Sequence, residues 1–432
     1  MTRTNIREQK TTHEGGTAST VSPELALRRS VMACMLWERT FYESGENIAT
    51  RIARLSAKVN AQKVANMAIT AREQANLRHA PLWLCAALAK QQRLKAETLA
   101  RVIQRADELA EFLAMYWKDG RCPLSAQVKK GLAAAFPKFD AYSLGKYNRD
   151  GQVKLRDVLF LSHAKPRNKQ QAETWKSLID GTLAVPDTWE VGLSGGADKK
   201  TTWLRLMGGQ KLGAMALLRN LRNMTDVGVS REAIGEALEN MKVSRILPFR
   251  FVAAAKAVPQ LEPLIERAMV RALEDEPELP GMTAIAVDSS GSMDLTLSDK
   301  GTMTRFDAAC ALAIMAREIC GDVRVFSYGT QTVEVPARRG FALRDAIRKA
   351  NSGYMTRMGR CISTINSAMH QYHRVIVITD EQTADTVPAP KGVGYIVNVA
   401  AYKNGVGYGN YKKVDGFSAA MLQWVRDAEF DL

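Results

Sequence analysis

No stretch of eighteen apolar residues occurs anywhere in these 432 residues, so the sequence offers no candidate for a helix spanning a bilayer. An apolar leader core is also missing: Met1 to Thr20 is polar and carries Arg3, Arg7 and Lys10, and the expectation is a cytoplasmic protein that meets no membrane. Cysteine is sparse. The six residues Cys34, Cys85, Cys122, Cys310, Cys320 and Cys361 stand in apolar contexts without a Cys-x-x-Cys pair, which predicts free buried thiols rather than disulfides or zinc. Only five histidines occur, and none sits at a suggestive spacing from a serine or cysteine nucleophile. His370 and His373 could share a metal, but no Cys or third His joins them. A Gly-x-x-x-x-Gly-Lys phosphate loop is absent, and Gly405-x-Gly-x-Gly409 follows Lys403-Asn404 rather than a buried strand, so it reads as a loop. These absences weigh against an enzyme.

Positive charge, by contrast, is abundant and unevenly placed. Of the formal +15, residues 281–432 hold 17 Lys+Arg against 15 Asp+Glu, leaving 43 against 30 in the first 280. A basic region joined to a near-neutral one points to a polyanion as the partner of the first, nucleic acid being the commonest soluble one, although a merely solubilising surface has the same composition.

The near-neutral part is organised around Thr283 to Met293, Thr-Ala-Ile-Ala-Val-Asp-Ser-Ser-Gly-Ser-Met. An uncharged apolar run ending on a carboxylate reads as a strand buried on both faces. Asp288, Ser290 and Ser292 then fall at spacings of two, so a loop must gather them, and Gly291 lets it turn tightly. Oxygen-only ligands mean a hard cation, and so few protein oxygens suit magnesium better than a closed calcium cage. Val375 to Asp380 is a second apolar run ending on a carboxylate, expected beside the first. Between them, Phe306–Cys320 reads as a helix, Val323–Tyr328 as a strand and Phe341–Lys349 as a short helix, giving a doubly wound α/β domain over 280–432.

Asp-x-Ser-x-Ser resembles the metal-ion-dependent adhesion site of von Willebrand factor A domains. The resemblance implies Asp380 as the second acidic member and a threonine between the two strands, for which Thr356 in Gly353-Tyr354-Met355-Thr356-Arg357-Met358-Gly359-Arg360 is the candidate. Arg357 and Arg360 beside it oppose a cation electrostatically.

Before this domain the pattern is helical throughout. Ser22-Pro23-Glu24 opens a helix after a flexible arm over 1–22. Segments then follow at about 45–58, 62–71, 81–90, 96–117, 125–135, 140–147, 153–162, 170–181, 201–208, 211–224, 230–240, 248–257 and 261–273, with short Gly- or Pro-containing breaks. So many helices without an exact repeat fit an α-solenoid of HEAT type, with a compact bundle as the plainer alternative.

Six blocks in order are similar to those of a TROVE domain, the RNA-binding module of the Ro autoantigen ribonucleoprotein family: Trp37–Tyr42, Asn76–Pro81, Lys154–Pro166, Thr188–Val191, Ala216–Met224 and Arg245–Phe251. The A-type domain follows, as it does in Ro proteins. The resemblance implies that the helical repeats over 23–276 close into a ring. Its hole would take single-stranded ends of structured or misfolded RNA, and its basic outer face would take small Y-like noncoding RNA. Phosphate contacts would make both strongly salt dependent. It also implies a monomer without catalytic residues, with an exoribonuclease or another protein as a partner of the A-type domain.

On the same ground Lys146, Arg149 and His163 are the expected Y-RNA contacts, with Arg78, His79, Lys165 and Arg167 as further RNA-binding candidates on loops or helix ends. Without the resemblance, His163 is equally a helix C-terminal residue held by the dipole. Arg219 and Arg222, three apart on an otherwise apolar helix, are read as either exposed or buried structural arginines. A second function class stays open, a metal-dependent protein-interaction scaffold working through the A-type domain. A nuclease is disfavoured, because Asp288 and Asp380 share one site and no other carboxylate cluster suits two-metal chemistry.

Overall fold

The structure, a computed structural model, describes residues 22–32, 45–148, 150–194, 196, 198–209, 211–244, 246–274, 276–297, 302–350, 352–400, 411–416, 425, 426 and 429. Residues 1–21 of the expected arm, the block Trp37–Tyr42, Cys34, Arg149, Arg245 and the loop Gly405–Gly409 lie outside the described residues.

The chain divides into two compact units, one formed by 49–212 with 226–229, the other by 1–48, 213–225 and 230–432. The first unit is all helical. Ala61–Glu73, Ala96–Val102, Ala126–Ala135 and Leu155–Ser162 pack in succession as one row, while His79–Lys90 and Asp107–Tyr116 pack on each other beside it. Rows of alternate helices are the stacking that a HEAT-type pattern requires. Caps fall where the sequence signals them. Ser125 and Asp140 accept the amides of Val128 and Ser143, and Gly181 closes Lys169–Asp180 in a left-handed turn.

The expected helix over 96–117 is two helices. Ile103 turns to φ −72°, ψ 111°, and the fully buried Glu108 accepts the amides of Gln104 and Arg105 at 2.8 and 3.0 Å, drawing the break closed around its own carboxylate. Trp189–Ser194 is a further short helix.

The second unit is built on a six-stranded sheet: β1 (Leu279–Asp288), β2 (Cys320–Tyr328), β3 (Thr332–Val335), β4 (Arg374–Thr379), β5 (Val393–Asn398) and β6 (Tyr411–Asp415). The order is β3-β2-β1-β4-β5-β6, parallel except for β3, with Ile285 opposite both Val325 and Ile376. Helix Arg305–Ile319 covers one face and Met358–Ala368 the other, the doubly wound arrangement. Thr304 opens the first in a reciprocal cap with Asp307, at 3.1 and 3.0 Å. The second presses Met358, Cys361, Ile362 and Ile365 onto Ala284, Ala286 and Phe326.

The same unit includes helices on the N-terminal side of the expected boundary at 276–280. Lys256 binds Asp307 at 2.7 Å, Glu262 binds Arg344 at 3.1 Å, and Glu266 takes the Phe341 amide at 3.2 Å. Arg29, on helix Pro23–Met32, binds Glu381 at 2.5 Å with both side chains buried. Among the described residues no helix is long and apolar enough to cross a membrane. Cys85, Cys310, Cys320 and Cys361 are buried free thiols, whereas Cys122, on the loop after Asp107–Tyr116, is exposed, against the expectation of burial.

Candidate metal centre and basic helical surface

The strand order reverses direction between β1 and β4, which stay paired as far as Val287 and Ile378, so the connections beyond their C-terminal ends leave in opposite directions, the place where open α/β sheets hold ligands. Asp288 ends β1 and Asp380 follows β4, and both are fully buried. Asp288 accepts the Ser290 amide on Oδ1 at 3.0 Å and the Thr379 hydroxyl on Oδ2 at 2.7 Å. The hydroxyls expected to be gathered are gathered: Ser290 Oγ lies 2.9 Å from Thr356 Oγ1 and 3.3 Å from Ser292 Oγ. The Gly291 amide donates to the Tyr354 carbonyl at 2.9 Å, and Thr356 O accepts the Ala384 amide at 2.9 Å, so the three loops hold each other.

Two carboxylates at the ends of adjacent buried strands repel. Burial first, and then the Asp380 charge, push the Asp288 carboxyl up to about 7. One buried cation already answers this. Arg305 donates Nη1 to Asp380 Oδ2 at 3.1 Å and to the Ser292 carbonyl at 3.3 Å. Three hydroxyl oxygens converge beside the two carboxylates, and an all-oxygen donor set that includes carboxylate fits a hard divalent cation. Of the flanking arginines, Arg360 is exposed with Nη1 3.4 Å from the Thr330 carbonyl.

Arg305, Thr379 and the buried Glu381 were not singled out from the sequence, although Thr379 and Glu381 adjoin Asp380. Glu381 adopts φ +61°, a left-handed backbone that costs a β-carbon-bearing residue about 1 kcal/mol or more. His373 accepts the Met282 amide on Nδ1 at 2.9 Å, a structural use of one member of the His pair.

The RNA-binding candidates lie in the helical unit and fall into two groups. Arg78 binds Asp107 and Glu111, and its Nε lies 3.6 Å from Glu108. His79 stands 3.8 Å from Glu111, and its pKa is lowered, chiefly by burial and then by Arg78, so it carries little charge at neutral pH. This pair is drawn into an acidic cluster. The others stand clear: His163, Lys165 and Arg167 are exposed, Lys146 is half-buried, and none has a carboxylate within ion-pair distance among the described residues. His163 occupies the left-handed C-cap of Leu155–Ser162 at φ 55°. Arg219 and Arg222 are exposed on helix Ala214–Asp226, which settles their two readings in favour of the surface.

Residues 175–275 match the TROVE domain family. The chain is 39% identical over 97 residues to Telomerase protein component 1 of Mus musculus, and 37% identical over 86 residues to that of Rattus norvegicus. The matches take in 20% and 18% of this chain but only 4% and 3% of those much longer proteins. In fold, the chain is similar to the Ro (RSR) protein of Deinococcus radiodurans, with a TM-score of 0.59 at 20% identity over 92% of this chain and 97% of that one.

Proposed function

We propose that this chain, a member of the TROVE family of ribonucleoproteins with the fold of a Ro protein, binds noncoding RNA through its helical region and a divalent cation through its A-type domain. The observation that carries the RNA reading is the set Lys146, His163, Lys165 and Arg167: basic groups clear of carboxylates among the described residues, in the part of the chain that holds nearly all the excess positive charge. Phosphates offer such side chains a sequence-tolerant partner. On this reading the outer surface around Lys146 and His163 takes a small structured, Y-like RNA. The helical repeats take a single-stranded end in a ring too narrow for duplex, as a step in RNA quality control. On the same reading the chain carries out no catalytic step and works in the cytoplasm.

The cation, magnesium by its donors, would be held by Asp288, Ser290, Ser292, Thr356 and Asp380. It would supply an open coordination position for a carboxylate or phosphate from a partner. Arg305 holds Asp380 in place, and Thr379 orients Asp288.

Gel-shift titration of one stem RNA, with and without a single-stranded 3′ tail, at two salt concentrations, tests the proposal. Tail-dependent binding that weakens steeply with salt supports the channel. Equal binding of both RNAs supports the outer surface, and no binding at low salt overturns the RNA reading. A second reading, a metal-dependent protein scaffold such as a dock for an exoribonuclease, draws support from Tyr354 and Met355, exposed by 84% and 43% beside Thr356. Partner capture that requires magnesium and fails in Asp288→Ala, with RNA binding intact, would favour it.

A further inference from the structure

Helix Ala141–Tyr147 carries more than the lysine expected to touch phosphate. Lys146 Nζ lies 6.0 Å from the centre of the Tyr142 ring and 5.7 Å from that of Tyr147, and the guanidinium of Arg105 lies 4.9 Å from Tyr147. Two cations and two rings therefore meet here: Arg105, Tyr147, Lys146 and Tyr142. The members are differently committed. Arg105 gives Nε and Nη2 to Asp107 at 3.1 and 2.9 Å, and the nearby Asp187 is taken by Arg205 and Lys211. Lys146 has no such partner among the described residues, and its distances sit at the outer limit of cation–π range, so the ammonium does not seal the rings. Tyr142 is 44% exposed, one of two exposed large aromatics among the described residues of the helical unit, the other being Phe160. Its helix packs closely on the segment Leu183–Pro186: a Cβ at Gly145 would stand 2.7 Å from the Ala184 carbonyl.

A free ammonium between two tyrosine rings pairs the two contacts that unpaired nucleic acid needs, a phosphate partner and a flat face for a base. We propose that Tyr142, supported by Tyr147, is a stacking platform for an unpaired RNA base, and that Lys146 holds the phosphate beside it. Resting on the RNA-binding reading, this adds a selectivity that phosphate contacts lack. A paired base keeps its faces inside the helix and cannot lie on Tyr142, so the surface distinguishes a loop, bulge or tail from continuous duplex.

Full-length chain is titrated with a hairpin RNA bearing an unpaired loop and with a blunt, fully paired RNA of equal length. In Tyr142→Ala, affinity for the hairpin falls roughly ten-fold while its salt dependence is unchanged and blunt RNA is unaffected. Tyr142→Phe keeps the affinity. Lys146→Ala lowers the salt slope by about one for both RNAs. Tyr142→Trp reports directly, since stacking quenches its fluorescence on addition of a short uridine oligomer. Hairpin binding unaltered in Tyr142→Ala, equal loss on both RNAs, or an unquenched tryptophan in a binding-competent protein overturns the platform alone. Wild-type protein that binds neither RNA overturns the RNA reading and the platform with it.

Discussion

Arg78 and His79 were expected at an RNA surface, and the carboxylates around them set how each behaves. Arg78→Ala deprives Glu111 of its arginine and leaves Asp107 with Arg105 alone, so urea unfolding should show a loss of about 1 to 2 kcal/mol whatever happens to RNA affinity. For His79 the sign follows from its lowered pKa. Just below the ordinary 6.5, the unfolded state takes a proton that the folded state refuses, so stability falls as pH drops through that value. Melting curves between pH 7.5 and 5.5 should show this dependence and its reduction in His79→Gln. An unaltered pH profile would contradict it. At the candidate metal centre the legible part was large. Asp288, Ser290, Ser292, Thr356 and Asp380 come together because strand-end carboxylates and small hydroxyl residues on a tight turn have few other uses. Arg305 was invisible for a physical reason: an arginine in the first turn of a helix carries no mark of the carboxylate 75 positions away that it will meet.

At the scale of elements, helix starts were readable at several side-chain caps, as at Ser125, Asp140 and Ser230. The break at 103–106 was not, because the apolar periodicity runs through it and the cause is a buried carboxylate folding back on two amides. Replacing Glu108 with Ala strands Arg72, bound to it at 2.8 Å, and should cost about 3 to 5 kcal/mol. Gly131 gives a second test. A Cβ there would stand 2.9 Å from both the Ala96 carbonyl and the Leu99 Cβ, so Gly131→Ala should force Ala96–Val102 and Ala126–Ala135 apart at a cost of about 1 to 3 kcal/mol. Denaturant midpoints measure both. β1, β2 and β4 showed in the sequence as apolar runs, whereas β3 is four residues of mixed burial and left no comparable trace.

For the whole molecule, the located charge and the switch from helical pattern to apolar strand marked two kinds of architecture. They did not mark which helices belong to which compact unit, since that depends on pairs such as Lys256–Asp307 and Arg29–Glu381 between distant positions. Arg29→Ala should lower stability by about 1 to 3 kcal/mol, since Glu381 loses its closer cation and keeps Lys413 at 3.9 Å. Hydrogen exchange should place the loosening around 379–385 and 23–32, and leave amides in 126–135 as protected as before.

The Arg29–Glu381 pair also has a consequence in time. At synthesis rates of about 5 to 20 residues per second, the 352 positions between them separate their emergence by roughly 20 to 70 seconds. The helical unit over 49–212 is complete within that interval. Helix Pro23–Met32 is made early and docked late: Arg29 waits for Glu381, and the helix waits for β6, the strand it packs on. A nascent chain stalled before 374 should therefore present this helix to a hydrophobic probe or a chaperone, and one released past 416 should withdraw it.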